Sequence, residues 1–68
     1  MYQLELREEF IKLGQALKAA GLTSSGVESK IVIQNGEVTV NGEVETRRGR
    51  KLVKNDVVGY RGEEIKVL

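Results

Sequence analysis

The 68-residue chain contains no cysteine, no histidine and no proline. Without the first two there is no disulfide staple, no thiolate nucleophile, no imidazole base and none of the usual zinc ligands. Without proline, nothing forbids strands on the usual grounds. No apolar run approaches the roughly 20 residues that span a bilayer. The opening "MYQLELREEF" alternates apolar and charged residues where a signal peptide carries a continuous apolar stretch, so a cytoplasmic protein without membrane contact is expected. The net charge is only +1, which makes the whole-protein field weak; any attraction to a polyanion must come from how the charges are arranged.

Apolar residues make up 40% and charged residues 31% of the chain, the balance of a folded soluble domain and not of a disordered tail. A chain this short buries only about 60% of its unfolded surface, so its core is thin and is held without a covalent or metal clip. No internal repeat, low-complexity segment or long linker divides it, and residues 1–68 are expected to form a single domain.

"YQLEL" alternates at a period of two, with Tyr2, Leu4 and Leu6 on one side of a short strand. Leu13, Ala16, Leu17 and Ala20 then fall on a helical stripe that stops at Gly21. Ser25, with Glu28 three residues later, has the form of a capping box opening a second helix, and "NG" at 35–36 closes it. Within it Val27, Ile31 and Gln34 share a face, with Val32 and Ile33 on its flanks. "EVTV", "NG" at 41–42 and "EVET" predict a hairpin with a type I′ turn, since both turn positions need positive φ. "DVVGYRG" and "EEIKVL" read as two more strands with "RG" at the turn and Ile65 and Val67 inward. The order predicts an α+β architecture, a two-helix unit packed on a small twisted antiparallel sheet.

Charge of one sign accumulates in one place. Arg47, Arg48, Arg50, Lys51 and Lys54 lie within eight residues that contain no acid. Charge runs are usually solvated loops. Here three of the five bases are arginine, whose planar fork grips phosphate bidentately, and Gly49 allows a sharp turn that makes the flanking arginines converge. Lys30 has Gly26 at i−4, so the common helical ion pair is unavailable to it. Ser25 and Gly26 stand at a helix N-terminus, where free amides accept phosphate. Lys18, on the polar side of the first helix, extends the same basic set, and Asn41 belongs first to its turn. Catalysis without histidine or cysteine would need carboxylates or lysines in a desolvated cleft. Glu8 with Glu9, and Glu63 with Glu64, are adjacent in sequence and so diverge. A non-catalytic chain with no cofactor and no small-molecule substrate is expected.

Ser25, Glu28, Lys30, Val32, Ile33, Gly36, Val38, Val40, Asn41, Gly42 and Asp56 occur in the order and spacing of a known module. The chain resembles the S-four domain, the αL-motif RNA-binding family found in a small-subunit ribosomal protein, pseudouridine synthases and tyrosyl-tRNA synthetases. "LGQALK", "SGVESK", "VNGEVETRRGRKL" and "DVV" resemble in particular its small stand-alone bacterial members of the YbcJ/YaaA type. The match runs roughly from Lys12 to Val58, with Gly26 where many members carry arginine and Asn55 where most carry glycine. The resemblance implies binding of structured RNA, ribosomal RNA or a pre-ribosomal particle, through Lys30, Arg47, Arg48, Arg50, Lys51 and Lys54, with Ser25, Gly26, Lys18 and Asn41 as further contacts. Two other readings stand beside it: a protein-interaction adaptor whose arginine loop docks an acidic partner, and a DNA binder using the second helix. A monomer is the expected state, although two short sheet edges leave room for pairing.

Overall fold

The computed structural model describes residues 2–68. Along the chain run β1 (Tyr2–Leu4), β2 (Ile11–Lys12), α1 (Leu13–Ala19), α2 (Gly26–Gln34), β3 (Val38–Val40), β4 (Glu43–Val44), β5 (Lys51–Leu52), β6 (Val57–Tyr60) and β7 (Glu63–Val67). The helix pair packs on a five-stranded sheet of order β1-β7-β6-β3-β4.

Turn chemistry builds most of this sheet. Asn41 and Gly42 have φ of 53° and 85°, and Arg61 and Gly62 have 49° and 77°, the left-handed pairs that match the twist of a two-residue hairpin. They place Val40 opposite Glu43 and Tyr60 opposite Glu63. The sheet departs from the antiparallel expectation at one edge, where β1 runs parallel to β7 with Tyr2 opposite Ile65 and Leu4 opposite Val67. No hairpin joins these two strands; nearly the whole chain lies between them and serves as the crossover that a parallel pair needs.

A second, two-stranded sheet was not legible in the sequence. Ile11 pairs with Leu52 and Lys12 with Lys51, antiparallel, so the basic segment expected as one loop contains a strand. This short pairing ties the entry of α1 to the chain that follows the arginines.

The core is aliphatic. Leu13, Ala16 and Leu17 of α1 and Val32 and Ile33 of α2 meet Val38, Val40, Val58, Ile65 and Val67 of the sheet, with Leu52 and Tyr60 beside them. The face of α2 that turns inward is Ser29, Val32 and Ile33, whereas Val27 and Ile31 are 69% and 52% exposed. The helix carries two apolar stripes, and the one chosen brings Ser29 within 2.6 Å of the buried Thr23 hydroxyl, a polar pair that closes the helix–helix contact. Among the described residues no helix is long and apolar enough to cross a membrane.

Candidate nucleic-acid interface

α2 starts where the sequence predicts. Ser25 Oγ accepts the Glu28 N–H at 3.1 Å. The other half of the capping box is shifted by one residue: Glu28 accepts from the Ser24 amide at 2.6 Å and the Ser24 hydroxyl at 3.1 Å, which lowers its pKa from the ordinary range. The amides of Gly26 and Val27 lie in the first turn, where no intrahelical acceptor exists. Gly26 opens onto a groove of about 320 Å³ between the two helices.

The far wall of this groove is the arginine turn. Arg50 N–H donates to the Arg47 carbonyl at 3.2 Å, which puts Arg48 and Gly49 at the tip. The turn is docked on the N-terminus of α1. Leu13 N–H donates to the Arg50 carbonyl at 2.8 Å and Gly14 N–H to the Arg48 carbonyl at 3.0 Å, so two amides left free by the helix are satisfied by the basic segment. A loop that reads as solvated in the sequence is in this way fixed to the helix pair.

Lys12, Lys18, Lys30 and Arg48 line the groove, over a floor that includes Gly14, Gly26 and Ser29. All four cations are exposed, and none is in a salt bridge among the described residues. Lys12 is also the cross-strand partner of Lys51. Like charges directly opposite one another cost stability. Lys51 lies over the Phe10 ring, 4.8 Å from its centroid.

The other arginines have a partner that the acid-free window leaves just outside. Glu45 is buried, and its Oε2 accepts from Arg47 Nε at 3.0 Å and the Arg47 amide at 3.1 Å. Its Oε1 accepts from Arg47 Nη2 at 3.0 Å and Arg50 Nη1 at 2.8 Å. These guanidinium contacts pull the Glu45 carboxyl down to about 2 and raise Arg47. The run of five bases is therefore divided: Arg48 faces the groove, Arg47 and Arg50 flank it on a shared carboxylate, and Lys51 sits on Phe10.

Two of the residues named from the sequence lie elsewhere. Lys54 occupies the turn before β6, and neither it nor Asn41 lines the groove. Asn41 is engaged in the fold: its Nδ2 donates to Asp56 at 3.0 Å and its Oδ1 accepts the Val57 amide at 2.9 Å. Ser25 acts through its cap, while Gly26, Lys18 and Lys30 reach the groove. Sequence reasoning gave no weight to Lys12 as a groove cation or to Glu45 as a clamp. The signal for Glu45 was its place directly ahead of the basic run; for Lys12 there was none beyond its position at the helix start.

Comparison with known proteins agrees with this fold. The family model described as "S4 domain" matches residues 4–68. The chain is 38% identical over 58 residues to the putative RNA-binding protein YbcJ of Escherichia coli (strain K12), covering 85% of this chain and 83% of that one. It is 44% identical over 59 residues to the probable ribosome maturation protein RlbA of Bacillus subtilis (strain 168), covering 87% and 83%. The solution structure of YbcJ from E. coli, whose αL motif is described as involved in RNA binding, superposes with a TM-score of 0.76 at 35% identity, over all of this chain and 87% of that one. With the helix pair, the Asn-Gly hairpin and the docked basic turn in place, this chain belongs to the S4 domain family.

Proposed function

We propose that the chain is a non-catalytic RNA-binding module that holds structured RNA, with ribosomal RNA or a pre-ribosomal particle as its partner. The observation that carries this reading is the groove, where Lys12, Lys18, Lys30 and Arg48 line one surface with no salt-bridge partner among the described residues, beside the free amides of α2. Cations gathered so closely repel one another until an anion enters, and a row of phosphates supplies several at once. The wall and floor are held by main-chain hydrogen bonds, so the backbone that carries the cations is set before the ligand arrives. Such contacts fix register on a backbone and read shape more than sequence, which suits the wide, shallow minor groove or a junction of an RNA helix. The names of two relatives, an RNA-binding protein and a ribosome maturation protein, point the same way.

The adaptor reading has less support, because the relatives that match are named for RNA binding and ribosome maturation. DNA is disfavoured because α2 offers one cation, Lys30, to a major groove.

The test is affinity for a tiled set of ribosomal RNA fragments as a function of salt. Neutralising about four phosphates gives a log–log slope near −3 to −4, and the triple variant Lys18→Ala, Lys30→Ala, Arg48→Ala flattens it by about two. Equal, weak binding by both proteins with the same slope would remove the groove from the interface.

A further inference from the structure

An acid in the middle of a surface built for a polyanion is unfavourable on charge alone. Glu45 cancels one unit of positive charge beside the groove, and its side chain is only 9% exposed, which adds a desolvation cost. Four hydrogen bonds offset that cost, and all four come from Arg47 and Arg50, the two ends of the turn whose tip is Arg48. The main chain of Glu45 is itself anchored, its N–H donating to the Val38 carbonyl at 3.0 Å. The carboxylate thus ties the arginine turn to the β3–β4 hairpin, while the Arg48 and Arg50 carbonyls tie it to α1.

From this we infer that Glu45 is a positioning residue for RNA recognition: it fixes the turn that carries Arg48 and holds the Arg47 and Arg50 guanidinium planes in preset orientations. The inference rests on the RNA-binding reading above. A guanidinium has five N–H donors, and Arg47 gives two of them to Glu45 while its side chain stays 74% exposed. The outer edge of the fork is left free for a phosphate or a base edge. Ordering of these long side chains is completed on folding and is not charged against binding, so the gain is in discrimination between a matching RNA shape and an arbitrary strand. The bidentate geometry requires arginine on one side and a carboxylate on the other.

Charge and positioning predict opposite signs, which makes the inference testable. Glu45→Gln keeps the size of the side chain and raises the net charge from +1 to +2. If charge alone mattered, the variant would bind every RNA more tightly and with a steeper salt slope. Under positioning, affinity for the ribosomal RNA fragment that the wild type binds best falls about tenfold, while affinity for poly(U) of the same length stays level or rises. A second variant, Arg47→Lys with Arg50→Lys, keeps every charge and removes the forked contacts. It is expected to lose structured-RNA affinity to a similar extent at an unchanged salt slope, and it carries the test if the glutamine variant does not fold, as judged from its amide NMR spectrum. Both variants binding the fragment as tightly as the wild type, while Arg48→Ala weakens it, would overturn the positioning role and leave the RNA reading standing. If the wild type binds none of the fragments, both fall together.

Discussion

Two turns interrupt the acid-free basic stretch, and they are held by different means. At Arg47–Arg50 the turn is fixed from outside, by a buried carboxylate close in sequence and by the N-terminus of α1, which is distant in sequence. At Val53–Asp56 the turn is closed by its own aspartate and bonded through its main chain to the end of β7. Asp56 accepts the Val53 amide at 2.8 Å and the Asp56 N–H donates back to the Val53 carbonyl at 3.1 Å, with Asn55 in the left-handed region at φ 81°. A side-chain tie across the molecule comes from the Asn41 amide. The first turn aims a cation into the groove; the second closes the sheet. Equal formal charge in the sequence thus separates into a candidate binding element and a folding element.

If that division is right, the largest effect on stability comes from the second turn and leaves binding alone. Asp56→Ala removes the acceptor of two hydrogen bonds, one of them from the Val53 backbone amide, and is expected to cost about 2 kcal/mol. Urea unfolding measures the loss. The folded fraction should keep wild-type RNA affinity; a parallel fall in affinity would mean that the two turns are coupled.

Acid should act on the first turn. The Glu45 carboxyl sits at about 2 in the fold against an ordinary 4.5, so the folded state favours the deprotonated form. The stabilisation it confers is fully present above pH 4.5 and is lost as pH falls from there toward 2. Melting temperature between pH 6 and pH 2 should therefore drop more steeply in the wild type than in Glu45→Gln. Over the same range, the protection factors of the Leu13 and Gly14 amides, which the turn covers, should fall once the intrinsic exchange rate at each pH is divided out. Identical profiles would show that the clamp contributes nothing to the docked turn. Solvent around Arg47 limits the size of the effect.

Arg48→Ala comes next and has the opposite signature to Asp56→Ala. Stability should change by no more than about 0.5 kcal/mol, since the side chain is exposed and its carbonyl bond to Gly14 survives. Affinity should fall about tenfold and the salt slope flatten by about one.

Local chemistry explains which of these features were legible in the sequence. Asn41–Gly42, Gly62 and Gly36 each announce a left-handed backbone conformation that few other residues adopt, Ser25 announces a side-chain cap, and strands and helix ends followed from them. The order of motifs was enough to identify the family. What escaped were contacts between distant residues: the parallel β1–β7 edge, the Ile11–Leu52 pairing and the docking of the arginine turn on α1. The inward face of α2 was ambiguous for another reason. Val27 and Ile31 compete with Val32 and Ile33, and the face turned inward also carries Ser29, whose hydroxyl pairs with that of Thr23 and which, being polar, carries no hydrophobic signal. The basic segment of the candidate site was read as one loop with five bases in eight residues, and the fold distributes them over a groove wall, a clamp, a strand and a turn.

Lys54 provides the smallest and most discriminating expectation. It shares the acid-free run with Arg48 and has the same charge, so a model in which the run acts as one polycation gives the two equal weight. In the fold its turn is bonded to the end of β7, with Asn55 N–H donating to the Val67 carbonyl at 2.8 Å and Val67 N–H to the Asp56 carbonyl at 2.9 Å. It is absent from the groove lining. Exposed charges interact over about 8 Å at physiological salt, so a lysine outside the contact adds only a weak, screened attraction. Lys54→Ala should therefore weaken binding less than about twofold and barely move the salt slope, because no phosphate counter-ion is displaced by it. A slope change of about one, equal to that for Arg48→Ala, would place Lys54 on the RNA and show that the bound strand extends past the groove to the second turn.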